Sequence, residues 1–185
     1  PEGSNCGLVK NLALSAIISI NVDSSDVRQK LDDLGVEDFL DVSNSVKKTG
    51  ARVFLDGKFI GYFPDGEELV SSLRELRRNN KINSHVGISL HTPEEEGATK
   101  RLYINCNAGR VLRPVILIKD GKSLLTNDLI EKTSKKLVSW LDLIRMGIIE
   151  LIDANEEENC DITFDEKNTK KFTHLEIFSS AILGA

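Results

Sequence analysis

The sequence predicts an α+β fold: a mostly antiparallel β-sheet with hairpins and a few short helices. Three observations point there. Short runs rich in Ile and Val outnumber stretches with helical spacing. Two Asp-Gly pairs, Asp56-Gly57 and Asp120-Gly121, each follow an apolar run, the chemistry of a two-residue type I′ turn between antiparallel strands. Hairpins of this kind dominate over the long helical crossovers that a parallel sheet needs. Of the 185 residues, 40% are apolar and 13 are glycine, enough to bury a core and to exclude wholesale disorder.

Taken in order, residues 12–22 are apolar with little helical stripe and predict a buried strand. Val27, Leu31 and Leu34 then recur at helical spacing behind Ser24, Ser25 and Asp26. That short helix ends at Gly35, which tolerates the positive φ of a C′ position. Residues 36–42 fit neither pattern. Residues 52–63 predict a hairpin turning at Asp56-Gly57, and Pro64-Asp65-Gly66 makes the next turn. Glu67 and Glu68 open a helix where their charge suits its dipole. Leu69, Leu73 and Leu76 form its apolar stripe, and Arg74, Arg77, Arg78 and Lys81 gather towards its C-terminal end.

Residues 86–90, 100–106 and 110–119 read as strands, with turns at 93–97 and 107–109 between them. Ser139-x-x-Asp142 is similar to a capping box and opens a helix that stops at Gly147. Residues 148–152 and 172–177 supply further strands.

Charge excludes some functions. The formal net charge is -5, too acidic for bulk electrostatic binding of nucleic acid by a free-standing domain. The charge is blocked, however. Residues 47–119 hold 13 basic and 8 acidic groups, whereas residues 120–166 hold 5 and 12. Such blocks read first as solvated faces. Arg74, Arg77, Arg78 and Lys81 could contact phosphates, but cations near a helix C-terminus are favourable in their own right. With 5% aromatic residues to stack bases, the structural reading of these cations is preferred.

Cys6, Cys106 and Cys160 are widely spaced and form no C-x-x-C pair, so a disulfide framework or zinc site is not expected. A reducing, intracellular setting fits them, with buried thiols as the default. No apolar run reaches the ~20 residues of a membrane helix. The chain opens on Pro1 and closes on Gly184-Ala185 directly after an apolar run, which reads as a piece of something longer.

Tests for self-contained chemistry fail. The acidic run 153–161 offers alternate oxygen ligands, but an EF-hand alignment from Asp153 puts Glu158 where glycine is needed and Phe164 where a bidentate glutamate is needed. A solvated acidic turn is the expectation. His85, His91 and His174 show no short ligand spacing, and His174, in a strand-like run, is expected to be a hydrogen-bonded structural residue. No phosphate-binding glycine loop and no G-x-S-x-G occurs.

Two segments carry a resemblance. Pro1-Glu2-Gly3-Ser4-Asn5-Cys6-Gly7-Leu8-Val9-Lys10-Asn11-Leu12 resembles the P-E-G-x-N-x-G-L-[VI]-x-N-L signature of the second-largest subunit of multisubunit RNA polymerases. Thr173-His174-Leu175-Glu176-Ile177 with Ile182-Leu183-Gly184 resembles that family's T-H-x-E-I…I-L-G segment. Between them lie Arg52-Val53-Phe54-Leu55-Asp56-Gly57, Leu73-Arg74-Glu75-Leu76-Arg77-Arg78, Asn107-Ala108-Gly109-Arg110-Val111-Leu112-Arg113-Pro114 and Ile152-Asp153-Ala154-Asn155-Glu156-Glu157-Glu158. Their order matches the archaeal and eukaryotic branch. The sequence departs at Phe178-Ser179, where the family has His-Pro or a similar pair, and at Ser4, where Pro or Gln is common.

The resemblance implies a structural, fork-proximal part of the second-largest subunit of a DNA-directed RNA polymerase, supporting template-directed RNA synthesis in transcription. Residues 1–22 would be the end of the fork region. Residues 23–170 would be the external domains, with room for a split near 120, and 171–185 would re-enter towards the hybrid-binding region. Glu2, Asn5, Val9 and Lys10 would lie near nucleic acid or nucleotide, with Glu2 acting through neighbouring basic groups; the alternative is that Gly3 and Gly7 only shape a turn that Asn5 satisfies by hydrogen bonds. The Mg²⁺ and Zn²⁺ of the parent complex would be held elsewhere, so no cofactor and no catalytic residue is expected in this segment, which alone would be inactive as a nucleotidyltransferase. Implied partners are the other polymerase subunits, chiefly the largest, with the DNA template and the RNA–DNA hybrid, and no membrane. The implied location is the cytoplasm, or the nucleus for a eukaryotic source. Two alternatives compete: a stand-alone protein-interaction module using the basic 47–119 region, and a carboxylate-dependent hydrolase built on 153–161.

Overall fold

Residues 12–22 do not form one buried strand. The computed structural model describes residues 3–5, 7–95, 98–166, 169–178 and 183–184. Within it, the Ala16 N–H donates to the Ala13 carbonyl and turns the chain between β1 (Asn11–Leu12) and β2 (Ile17–Ile18). Leu14 is fully exposed, and Leu12 and Ile18 are exposed as well. The polar residues within the run explain the break. Ser19 is buried, and its hydroxyl accepts from the Arg110 N–H at 3.0 Å, an anchor that a continuous apolar strand would lack.

Downstream, most elements follow their local chemistry. Helix α1 (Ser24–Asp33) starts where the Asp23 carboxylate accepts from the Ser25 N–H, and it ends before Gly35 at φ 91°. Helix α2 (Asn44–Thr49), which carries no apolar stripe to announce it, is capped by Ser43. Strands β3 (Ala51–Leu55) and β4 (Lys58–Phe63) form the expected hairpin. Asp56 and Gly57 both have positive φ, 49° and 79°, as a type I′ turn demands. Asp65 then caps α3 (Gly66–Arg78), accepting from the Glu67 and Glu68 N–H groups.

Strands β5 (Gly87–His91), β6 (Arg101–Asn105) and β7 (Val111–Lys119) follow. The loop expected at 93–97 includes Glu96 and Gly97, outside the described residues. Asp120 and Gly121, at φ 52° and 72°, turn β7 into β8 (Lys122–Ser123). Helix α4 (Asn127–Ser134) begins at the Thr126 cap, and α5 (Trp140–Arg145) begins at the capping box of Ser139 and Asp142. Strand β9 (Ile149–Ile152), helix α6 (Ala154–Glu157), β10 (Ile162–Thr163), β11 (His174–Glu176) and β12 (Leu183–Gly184) complete the order.

The chain divides into two compact units. One comprises Ile20–Ala108 and Asn155–Asn159. Its sheet runs β4-β3-β6-β5, antiparallel except for the parallel β3–β6 pair. Leu69 and Leu73 of α3 pack with Val53, Ile88, Leu102 and Ile104, all essentially inaccessible to solvent. Burial of each leucine contributes roughly 1.5–3 kcal/mol. Gly61 lets a neighbouring segment close on β4: a Cβ there would stand 2.1 Å from the Glu37 carbonyl oxygen, which accepts the Tyr62 N–H.

The other unit comprises Pro1–Ser19, Gly109–Ala154 and Cys160–Ala185. Its hub is β7, which pairs antiparallel with β2, β8, β9 and β11, while β10 extends the sheet parallel to β11. Leu143, Ile148 and Ile149 pack with Leu124, Leu129 and Val138 beside it. The class is α+β with mostly antiparallel sheets. Among the described residues no helix is long and apolar enough to cross a membrane.

Candidate functional site

At the start of the chain, Gly3, Ser4 and residues 7–12 are exposed, and glycine shapes the backbone there. Gly3–Asn5 make a single 3-10 turn, and Gly3 and Gly7 take φ values of 75° and 79°. Glu2 and Cys6 lie outside the described residues, and only the backbone of Asn5 is described. Val9 and Lys10 are exposed, beside Leu8 at 80% exposure. At the end of this segment β1 pairs antiparallel with β12, setting Asn11 opposite Gly184 and Leu12 opposite Leu183. The P-E-G…N-L and I-L-G motifs, at opposite ends of the sequence, thus meet as two strands.

The other motifs are wired together in pairs. Arg110 reaches Asp153 at 2.6 Å, and Arg113 reaches Glu176 at 2.9 Å, both within the unit built on β7. In the other unit Arg77 grips Glu156 with two hydrogen bonds, Nη1 to Oε2 at 2.7 Å and Nη2 to Oε1 at 2.6 Å. Arg74 adds an Nε–Oε1 contact of 3.1 Å. Glu156 also accepts the Ile88 N–H, and Arg77 also donates to the Val86 carbonyl, so the pair is tied to the backbone entering and within β5. Asp56 accepts the Cys106 N–H at 2.7 Å. Two neighbours in the sequence thereby serve different units: Asp153 holds Arg110 in one, and Glu156 holds Arg77 in the other.

These contacts correct the expectation of a solvated acidic turn at 153–161. Glu158 is exposed, but Asp153 and Glu156 are buried, Glu156 at 1% exposure. A carboxylate desolvated this far persists only with cations and N–H donors around it. The signal was present in α3. Arg77 continues the i, i+4 series of Leu69 and Leu73, so the helix aims a guanidinium into the core and requires an acid to meet it. Arg74 and Arg77 are accordingly structural, as their position at a helix end suggested.

His174 is the structural histidine expected. It is 2% exposed, with Nε2 2.8 Å from Glu150 Oε2 and Nδ1 2.8 Å from Thr173 Oγ1. Cys106 is buried; Cys160 is only half-buried, in departure from the default. Among the described residues no group of three or more His, Cys, Asp and Glu side chains converges to hold a metal ion.

The family model for RNA polymerase Rpb2, domain 4, matches residues 53–119, and that for RNA polymerase Rpb2, domain 5, matches residues 140–176. Over its whole length the chain is 39% identical to DNA-directed RNA polymerase subunit Rpo2 of Saccharolobus shibatae and 34% identical to DNA-directed RNA polymerase II subunit RPB2 of Encephalitozoon cuniculi. The chain belongs to the RNA polymerase second-largest subunit family. It spans 17% of the length of each of those two relatives. It is also 33% identical to DNA-directed RNA polymerase III subunit RPC2 of Saccharomyces cerevisiae, of which it spans 16%. The six motif segments that resemble this family are the ones joined here by ion pairs, hairpin geometry and strand pairing.

Proposed function

We propose that the chain is a structural, fork-proximal part of a DNA-directed RNA polymerase, supporting template-directed nucleotidyl transfer without supplying the reacting groups. The observation that carries this reading is the alignment of the whole chain with second-largest subunits, with two successive domain models matched in order. In this reading residues 1–22 end the fork, 23–170 form the external domains, and 171–185 re-enter the body of the subunit. The antiparallel pairing of β1 with β12 supports it, since strands from the two ends of the sequence share one ladder.

Glu2, Asn5, Val9 and Lys10 are the residues proposed to lie near nucleic acid or nucleotide. Lys10, exposed on this segment, has the charge to approach phosphate, whereas a carboxylate at Glu2 repels it and acts through a cation. The partners proposed are the other polymerase subunits, the largest above all, together with template DNA and the RNA–DNA hybrid. Mg²⁺ and Zn²⁺ belong to other parts of that assembly. The proposed location is the cytoplasm, or the nucleus in a eukaryote. The test is affinity purification of the full-length chain from its native cells. Recovery of the other polymerase subunits with template-dependent RNA synthesis in the eluate is the expected result. Recovery of unrelated partners, or of the chain alone, overturns the reading.

A further inference from the structure

One face of the β4-β3-β6-β5 sheet is packed by α3. The opposite face carries a row centred on two arginine cations beside a row of rings. Strand register sets Tyr62, Arg52, Arg101 and His91 side by side across the four strands. Two residues along, or three on β4 where the register shifts, it sets Phe59, Phe54, Tyr103 and Ser89 side by side.

The cation row is costly to the fold as it stands. Arg52 and Arg101 are direct cross-strand neighbours, an arrangement in which like charges destabilise. Among the described residues neither guanidinium has a hydrogen bond or an ion pair, and Arg52 Nε is shielded from solvent with no acceptor. Elsewhere in the same unit arginines are matched: Arg74 and Arg77 to Glu156, and Arg28 to Asp32. An open cleft of about 350 Å³ adjoins the row, lined by Ser89, His91, Arg101, Tyr103, Asn105 and Glu158 among others. Glu158 is the one carboxylate lining it and makes no ion pair with Arg101. Glu94 and Glu95 line the neighbouring cleft with Arg101, yet among the described residues neither arginine is paired with an anion.

The ring row tells which anion. Phe54 and Tyr103 lie on adjacent strands with centroids 5.2 Å apart and planes within 24°, stacked on each other. Phe54 and Tyr103, stacked along the direction between strands, stand on edge and offer solvent their rims; Phe59 is tilted 62° to Phe54 with centroids 5.5 Å apart. A nucleobase needs a ring face to stack on. Ring edges are electropositive and suit carboxylates and packed apolar side chains instead. The spacing agrees: two residues along a strand is about 6.6–6.8 Å, the same step that separates side chains i and i+2 on one face of an extended peptide.

We propose that this face docks an extended acidic polypeptide segment of another protein. A carboxylate of that segment lies on Arg52 and Arg101, and an apolar side chain two residues away lies on Phe54, Tyr103 and Phe59. This is a surface on a polymerase-family chain, not a stand-alone module.

The test places the photo-cross-linker p-benzoylphenylalanine at Phe59 of the full-length chain in its native complex, with the product identified by mass spectrometry. Phe59 is 41% exposed. His91, exposed at the far end of the cation row, is the second position should Phe59 not tolerate replacement. The expected product is a polypeptide segment with Asp or Glu two residues from an apolar side chain. Its yield should fall at least tenfold in the Arg52→Gln, Arg101→Gln double variant. The melting temperature of that variant should hold or rise, because the replaced pair is mutually repulsive. A cross-link to RNA or DNA, to a segment without acids, or to nothing overturns the proposal. So does an unchanged yield in the double variant, or a fall in its melting temperature, which would assign the arginines to the fold.

Discussion

Arg77 and Glu156, 79 residues apart in sequence, close a two-pronged ion pair inside one unit, with both side chains 3% exposed or less. Removing one partner leaves the other charge buried and alone. Glu156→Ala is therefore predicted to cost about 3–5 kcal/mol of stability. Glu158→Ala, two residues on and exposed, should stay within about 0.5 kcal/mol. Denaturant unfolding of the full-length chain, with hydrogen exchange at the Ile88 amide as a local reporter, separates the two. Equal losses would show that the pair adds nothing beyond its surface neighbours.

His174 and Glu150 are predicted to be coupled through their 2.8 Å contact. A double-mutant cycle with His174→Phe and Glu150→Leu should return a coupling of about 0.5–3 kcal/mol, because each single change strands a buried polar partner that the double change removes. A coupling near zero would mean that the two groups are satisfied independently.

Gly61→Ala should weaken the contact between β4 and the segment at Glu37. The added Cβ meets backbone oxygen, which cannot swing away, so a loss of at least about 1–3 kcal/mol is expected. The check is loss of protection of the Tyr62 amide ahead of global unfolding.

Acid should weaken the helix caps. The hydrogen bond from the Glu68 N–H, above all, holds the Asp65 carboxyl below the usual carboxylate range, and the Ser139 hydroxyl does the same for Asp142. A folded-state value below the unfolded one gives a contribution that is complete above the unfolded pKa of about 3.9 and lost as the pH falls through the folded value. Asp65→Asn keeps a good cap without the titration. It should match the parent near neutral pH and lose less stability below about pH 4. Parallel acid profiles for the two proteins would rule the cap out as a source of acid sensitivity.

Local chemistry was the legible part of this molecule. The Asp-Gly turns, the Ser139 capping box, the Gly35 stop and the stripe of α3 each depend on residues within one turn of one another, and each appears where expected. What escaped depends on distance. Residues 12–22 have a strand's composition, yet the turn at Ala13–Ala16 and the anchoring of Ser19 on Arg110 are set by contacts across the fold. Helix α4 goes unread because its only apolar residues, Leu129 and Ile130, are adjacent and make no i, i+4 stripe. The acidic run looked solvated because Arg77 lies so far away in the sequence. Of the candidate site, the motifs marked which segments meet but not how. Only the register of β1 on β12, and the arginines that join the rest, supply that.

The pairing of β1 with β12 also sets a clock for synthesis. At about 5–20 residues per second, Asn11 and Leu12 leave the ribosome roughly 9–34 s before Gly184 and Leu183 exist to pair with them. Ile17 waits about half as long for Leu112. During that interval Leu8, Leu12 and Leu14, exposed even in the finished chain, are uncovered on a nascent segment. Strand β1 is thus made ahead of every other strand described and is the last to find its partner, which makes its stretch the one most dependent on being shielded while the rest is translated.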